Sequence, residues 1–145
     1  MGGTQTRTLV TTCADPEFAR EFAITSDYPE LLLGSGMAPS PFDLLLAAVG
    51  SSFVTSFVLV AATADVRIES MRVRAAATIH AHEMPGTRED EPRLTELELY
   101  AEVDADASPA DLQQLSKVAI ERAPVVALCR LNVRIQMEPA GRSTP

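Results

Sequence analysis

Few side chains in this sequence could do chemistry. It holds two cysteines, Cys13 and Cys129, and two histidines, His80 and His82. A thiolate is the soft nucleophile that peroxide and disulfide chemistry requires, and it forms near neutral pH only where a cation or a helix terminus favours it. Cys13 falls in a strand or turn near the N-terminus and Cys129 late in a short helix, so both read as small structural hydrophobes. His80-Ala81-His82 sets two imidazoles on one face of a strand, beside Glu83 and a charged turn. That spacing can bind a metal, but no third ligand accompanies it, and the preferred reading is a solvated strand end. No metal or cofactor is therefore expected. Hydroxyls are more concentrated: Ser51, Ser52, Thr55, Ser56 and Thr63 interrupt an apolar run. A serine nucleophile needs an adjacent base, for which only the two histidines offer themselves. The competing reading of Ser52 is a hydroxyl bonded back to a carbonyl one turn earlier.

Those hydroxyls share one element. Residues 41–64 read PFDLLLAAVGSSFVTSFVLVAATA, with no Lys or Arg and one acid, Asp43, at the start. A surface helix shows a charged face. This one is apolar nearly all round, so it is expected to be buried on most sides, in a core or between subunits. Leu44 to Ala62 comes close to the ~20 residues that span a bilayer. The Gly-Ser-Ser and Thr-Ser interruptions and the lack of flanking basic residues argue against insertion. Its start is well marked: Ser40 can cap, Pro41 fits the first helical position, and Asp43 completes a variant of the capping box.

The elements around the helix follow from periodicity. Residues 6–12 and 18–25 read as strands, the second with Phe18, Arg20, Phe22 and Ile24 in register. Residues 27–39 form a loop with Gly34 and Gly36. Residues 66–81 and 93–104 alternate as long strands around the charged turn 83–92. Ser108 caps a second helix, with Pro109 first and Asp111 three residues after the cap. A short helix over 123–129 and a strand over 131–137 close the chain. The expected fold class is α+β: one domain over 1–145, an antiparallel sheet around a long buried helix, with 1–5 and 139–145 flexible. A chain of 145 residues cannot cover such a helix with its own sheet. A homodimer, in which two such helices pack together, is the simplest remedy.

Composition narrows the partners. The net charge of −8 makes nucleic acid a poor partner, because phosphate binding needs a basic patch. The N-terminal residues lack the basic start and apolar run of a signal peptide, so a cytoplasmic location is expected, with no membrane partner.

Three segments together resemble one family. They are Ser40-Pro41-Phe42-Asp43-Leu44-Leu45 with Ala47-Ala48 and Ser51-Ser52-Phe53; Ala123-Pro124-Val125-Val126 before the last strand; and Asp27-Tyr28-Pro29 before Gly34 and Gly36. Their order and spacing resemble the OsmC/Ohr family of osmotically inducible and organic hydroperoxide resistance proteins, over residues 20–138. The resemblance implies an intertwined α+β homodimer with sites between subunits. It also implies a mechanism in which a thiolate attacks a hydroperoxide, an Arg with a Glu lowers its pKa, and a second thiol closes a disulfide. In this chain the first thiol position is Ser52, the second is Ala123, and the Glu position is Phe42. Arg20 is the candidate for the family's Arg, with Arg7 as the alternative.

A serine can form neither a sulfenic acid nor a disulfide, so the family reaction is not expected at Ser52. Three readings remain open. In the first, a pocket between subunits binds a small apolar molecule, with Met37, Phe42, Asp43, Ser51, Phe53, Ala123 and Pro124 around Ser52. In the second, the same pocket runs other chemistry on an apolar metabolite, using Asp43, Ser52 and Arg20. In the third, Cys129 or Cys13 reduces hydroperoxides from a displaced position.

Overall fold

The computed structural model describes residues 5–12, 17, 19–79, 94–129 and 133–139. Cys13, His80, His82 and the turn 83–92 lie outside them, so the readings made there are neither supported nor opposed. The chain divides into two compact units, residues 1–45 and 46–145, with the long helix α1 (Pro41–Thr63) running through the division.

In the N-terminal unit, β1 (Thr6–Thr12) and β2 (Arg20–Ser26) pair antiparallel, Thr6 opposite Ser26 and Thr12 opposite Arg20. Leu9 and Phe22 stay largely exposed on this ribbon. The loop that follows is held from inside by Asp27. This buried carboxylate accepts from the backbone N–H groups of Ser35 at 3.0 Å and Met37 at 3.3 Å, and from the Ser35 hydroxyl. Gly34 is required here, because a Cβ would stand 1.7 Å from the carbonyl oxygen of Tyr28. Gly36 takes a left-handed conformation, with φ of 66°. The loop ends in a reciprocal cap on α1. Asp43 N donates to Ser40 Oγ at 3.2 Å, and Ser40 N donates to Asp43 Oδ2 at 2.8 Å.

In the C-terminal unit, β3 (Ile68–Ile79), β4 (Leu94–Ala105) and β5 (Val133–Pro139) form one sheet in that order. β3 and β4 pair antiparallel, with Arg74 opposite Tyr100, while β5 runs parallel to β4, with Leu99 opposite Ile135. The expectation of a wholly antiparallel sheet is corrected at β5. A parallel neighbour needs a crossover, which α2 (Pro109–Arg122) and α3 (Pro124–Cys129) supply. A register shift between Ile68 and Ser70 adds a residue to β3.

The core of this unit is one sheet face against helices. Leu97, Leu99, Ala101 and Val103 of β4 are buried, as are Val49, Phe53, Phe57, Val60 and Ala61 of α1. The Phe53 and Phe57 rings stand 5.9 Å apart and tilted, a favourable aromatic pair. Gly50 faces β3 with room for a methyl group: a Cβ there would lie 3.8 Å from Val73 Cγ1 and 3.9 Å from Ala75 Cβ, ordinary contact distances. α2 adds Leu112, Ser116 and Ala119 at helical spacing. Its start matches the sequence signal, with Asp111 N donating to Ser108 Oγ at 3.2 Å.

Of the two kinds of burial expected for α1, in a core or between subunits, the described residues of the C-terminal unit supply the first, on one flank, through Val49, Phe53, Phe57, Val60 and Ala61. Val58 and Leu59 are exposed, Leu59 at 63%, together with Ala47, Ala48, Ser51, Thr55 and Ala62. The sheet lies on the Phe53–Phe57 side, and within the C-terminal unit no described residue covers the other. By length and composition alone α1 could also cross a membrane.

Candidate functional site

The open flank of α1 meets the start of α3 at Ser52. α3 begins at Pro124, which has no N–H, and its preceding residue Ala123 has no side-chain acceptor. Val125 therefore needs an acceptor from elsewhere. Ser52 supplies it: Val125 N donates to Ser52 Oγ at 3.2 Å, across 73 residues of sequence. The serine thus caps one helix from the middle of another. The bond back to a carbonyl one turn earlier is not formed, and among the described residues its hydroxyl hydrogen has no acceptor.

A cavity of about 520 Å³ opens beside this contact. Ala48, Leu59, Pro124 and Val125 give it apolar walls, and Ser51, Ser52, Thr55, Ser56 and Arg122 give it polar ones. The hydroxyls differ in what they have left to offer. Thr55 Oγ1 donates to the Ser51 carbonyl at 3.0 Å. Ser56 is 6% exposed, and its hydroxyl forms no hydrogen bond among the described residues. Arg122 ends α2 and forms no ion pair among the described residues. A smaller depression, about 380 Å³, lies on the outer face of the sheet beside Arg72, Arg74, Tyr100 and Glu102. Its arginines are engaged: Arg72 pairs with Glu102 at 3.5 Å, Arg74 stacks 4.7 Å over the Tyr100 ring, and the Tyr100 hydroxyl donates to Glu98, while Glu138 lines the same depression without an ion pair among the described residues.

Of the residues singled out from sequence, Ser51, Ser52 and Pro124 line the larger cavity. Ala123 is fully buried next to it in sequence, without being part of its wall. Phe53 follows Ser52 directly, yet the turn of the helix carries it into the core beside Phe57, away from the lining. Arg20, Met37, Phe42 and Asp43 belong to the N-terminal unit. There Arg20 is exposed at the start of β2, Met37 is exposed on the loop, Phe42 is half-buried, and Asp43 serves the helix cap. Cys129 is a free, half-buried thiol on α3 and does not line the cavity. Sequence reasoning missed Ser56 and Arg122. Ser56 stands one helical turn beyond Ser52, and Arg122 directly precedes Ala123-Pro124, so both were within reach of the motif. Among the described residues no three His, Cys, Asp or Glu side chains gather as a metal site would need.

An α+β protein with a long helix on a mixed sheet, and a hydroxyl-lined cavity on that helix's open flank, is the class these features define. The chain belongs to the OsmC-like protein family, whose family model matches residues 34–138. Its fold is shared with an OsmC-like protein from Mycoplasma pneumoniae (TM-score 0.70, 15% identity, 97% of this chain and 99% of that one). It is shared also with an organic hydroperoxide resistance protein from Legionella pneumophila (TM-score 0.66, 18% identity, 92% and 97%). A third is an organic hydroperoxide resistance protein from Elizabethkingia anophelis with crystallant-derived thiocyanate bound (TM-score 0.65, 19% identity, 93% and 96%). No curated protein sequence matches the chain.

Proposed function

We propose that this family member works as a homodimer whose cavity beside Ser52 binds a small apolar molecule, without thiol peroxidase turnover. The observation that carries this reading is the Ser52–Val125 hydrogen bond at 3.2 Å. In this reading Ser52 stands at the family's reactive-thiol position, and its hydroxyl caps a helix at the edge of a cavity. The aligned second thiol position, Ala123, is a buried methyl group. A thiolate is needed to open the O–O bond of a hydroperoxide and to be recycled through a disulfide, and neither position offers one. Walls mixing aliphatic groups with a few hydroxyls suit a small apolar guest oriented by one or two hydrogen bonds.

The homodimer is supported by the uncovered flank of α1. That face carries Ala47, Ala48, Val58, Leu59 and Ala62 and no charge. Exposed apolar area costs ~25 cal/mol per Å². A second copy meeting this face across a two-fold axis would remove it from water on both chains. The cavity would then open at the interface between copies. In this reading the protein is cytoplasmic and engages neither membrane nor nucleic acid.

The test is a two-dimensional NMR titration with 1-octanol. Saturable shifts at the backbone amides of Ser52, Ser56 and Val125 are expected. An absence of saturable shifts there contradicts the proposed cavity function.

A further inference from the structure

The geometry points to a more specific guest: an apolar carboxylic acid bound as its anion, with its head group between Arg122 and the hydroxyls of Ser52 and Ser56. This rests on the reading of the cavity as a binding site. Two independent observations carry it. Among the described residues Arg122 is the one charged group in the cavity wall, and no carboxylate neutralises it. Ser56 is buried at 6% exposure, lines the same cavity, and has no hydrogen-bond partner among the described residues. A buried hydroxyl without a partner is costly unless something supplies one.

The donors and acceptors fit an anion. Ser52 Oγ already accepts from Val125 N, so what it can still give is its hydrogen. Ser52 and Ser56 lie one helical turn apart and face the same way. Arg122 offers the planar fork that matches a carboxylate in bidentate fashion. The pocket thus presents donors and one positive charge, while Ala48, Leu59 and Pro124 offer a dry wall for a hydrocarbon tail. The chain's net charge of −8 works against anions at long range, so discrimination must come from this local fork. Arg122 also sits in the last turn of α2, where a cation is favourable to the helix for its own sake. The test must separate that role from recognition.

The test compares octanoate with 1-octanol, matched in chain length, on the full chain at pH 7, where the acid is ionised. Binding is read from the Val125 and Ser56 amide shifts. Octanoate is expected to bind about tenfold or more tightly than 1-octanol, as a charge-assisted contact would give. Arg122→Gln should bring octanoate down to the alcohol's affinity and leave 1-octanol within about twofold. Ser56→Ala, made alone in the wild type, should weaken octanoate a few-fold. Equal affinity for the two probes in the wild type overturns the inference and leaves the apolar cavity standing. A uniform loss of both probes in Arg122→Gln also overturns it, since that is the mark of a structural role in α2. If neither probe gives saturable shifts, the cavity reading fails and this inference with it.

Discussion

Ser52 Oγ and the backbone nitrogen of Val125 stand 3.2 Å apart, and this contact ties the middle of α1 to the first turn of α3. It gives the serine a structural task that an alanine cannot perform. Ser52→Ala should therefore leave Val125 N–H without a protein acceptor and lower stability by about 0.5–1.5 kcal/mol. Because the donor borders a cavity, water can partly replace the hydroxyl, which keeps the loss at the small end for a half-buried group. Urea denaturation of the two proteins reads it as a shift in midpoint at unchanged slope.

Two glycines should respond oppositely to the same substitution. A methyl at Gly34 would overlap the Tyr28 carbonyl, so Gly34→Ala must rebuild the Asp27 loop at a cost of about 2–4 kcal/mol. At Gly50 the nearest atoms, on Val73 and Ala75, lie at ordinary contact distance. Gly50→Ala should fit and raise stability by up to ~1 kcal/mol through helix propensity. Thermal unfolding of both variants beside the wild type checks the pair.

Tyr100 should titrate above the ordinary tyrosine value of 10.0. Its hydroxyl donates to Glu98; burial and the Glu98 charge add to the rise, and Arg74 over the ring opposes it. The folded state thus holds this proton more firmly than the unfolded chain does. The resulting stability is present below pH 10 and is lost as pH rises through the folded pKa. Ultraviolet titration of tyrosinate in a Tyr28→Phe background should show the raised value, and Glu98→Gln should lower it.

Leu59, 63% exposed on the open flank of α1, is the sharpest probe of the homodimer. Leu59→Glu places a charge where two copies would meet. A buried unpaired charge costs several kcal/mol, enough to dissociate a dimer held by apolar contact. Sedimentation velocity should find the wild type dimeric and the variant monomeric.

What could be read from the sequence depends on how local each signal is. The caps at Ser40–Asp43 and Ser108–Asp111 involve residues three apart, and both form as the sequence implied. Alternation placed the strands of the C-terminal unit, but alternation carries no direction, so the parallel pairing of β5 with β4 was hidden. The polarity of α1 said that it must be covered, but not by which chain. At the site, Ser51, Ser52 and Pro124 followed from the family pattern, whereas Phe53 was drawn in by adjacency that the helical turn undoes. Ser56, noted as one hydroxyl among five, and Arg122 were not assigned to the site because neither departs from what a buried helix or a helix end ordinarily carries. Only the fold shows that both open on one cavity.

The central claim is a family scaffold with a binding cavity in place of a peroxide-reducing thiol. Its most direct test is hydroperoxide consumption. Purified protein with a dithiol reductant and cumene or tert-butyl hydroperoxide should consume peroxide no faster than the reductant alone. Turnover above that background, abolished by Cys129→Ser, would contradict the account and place the chemistry on the α3 thiol.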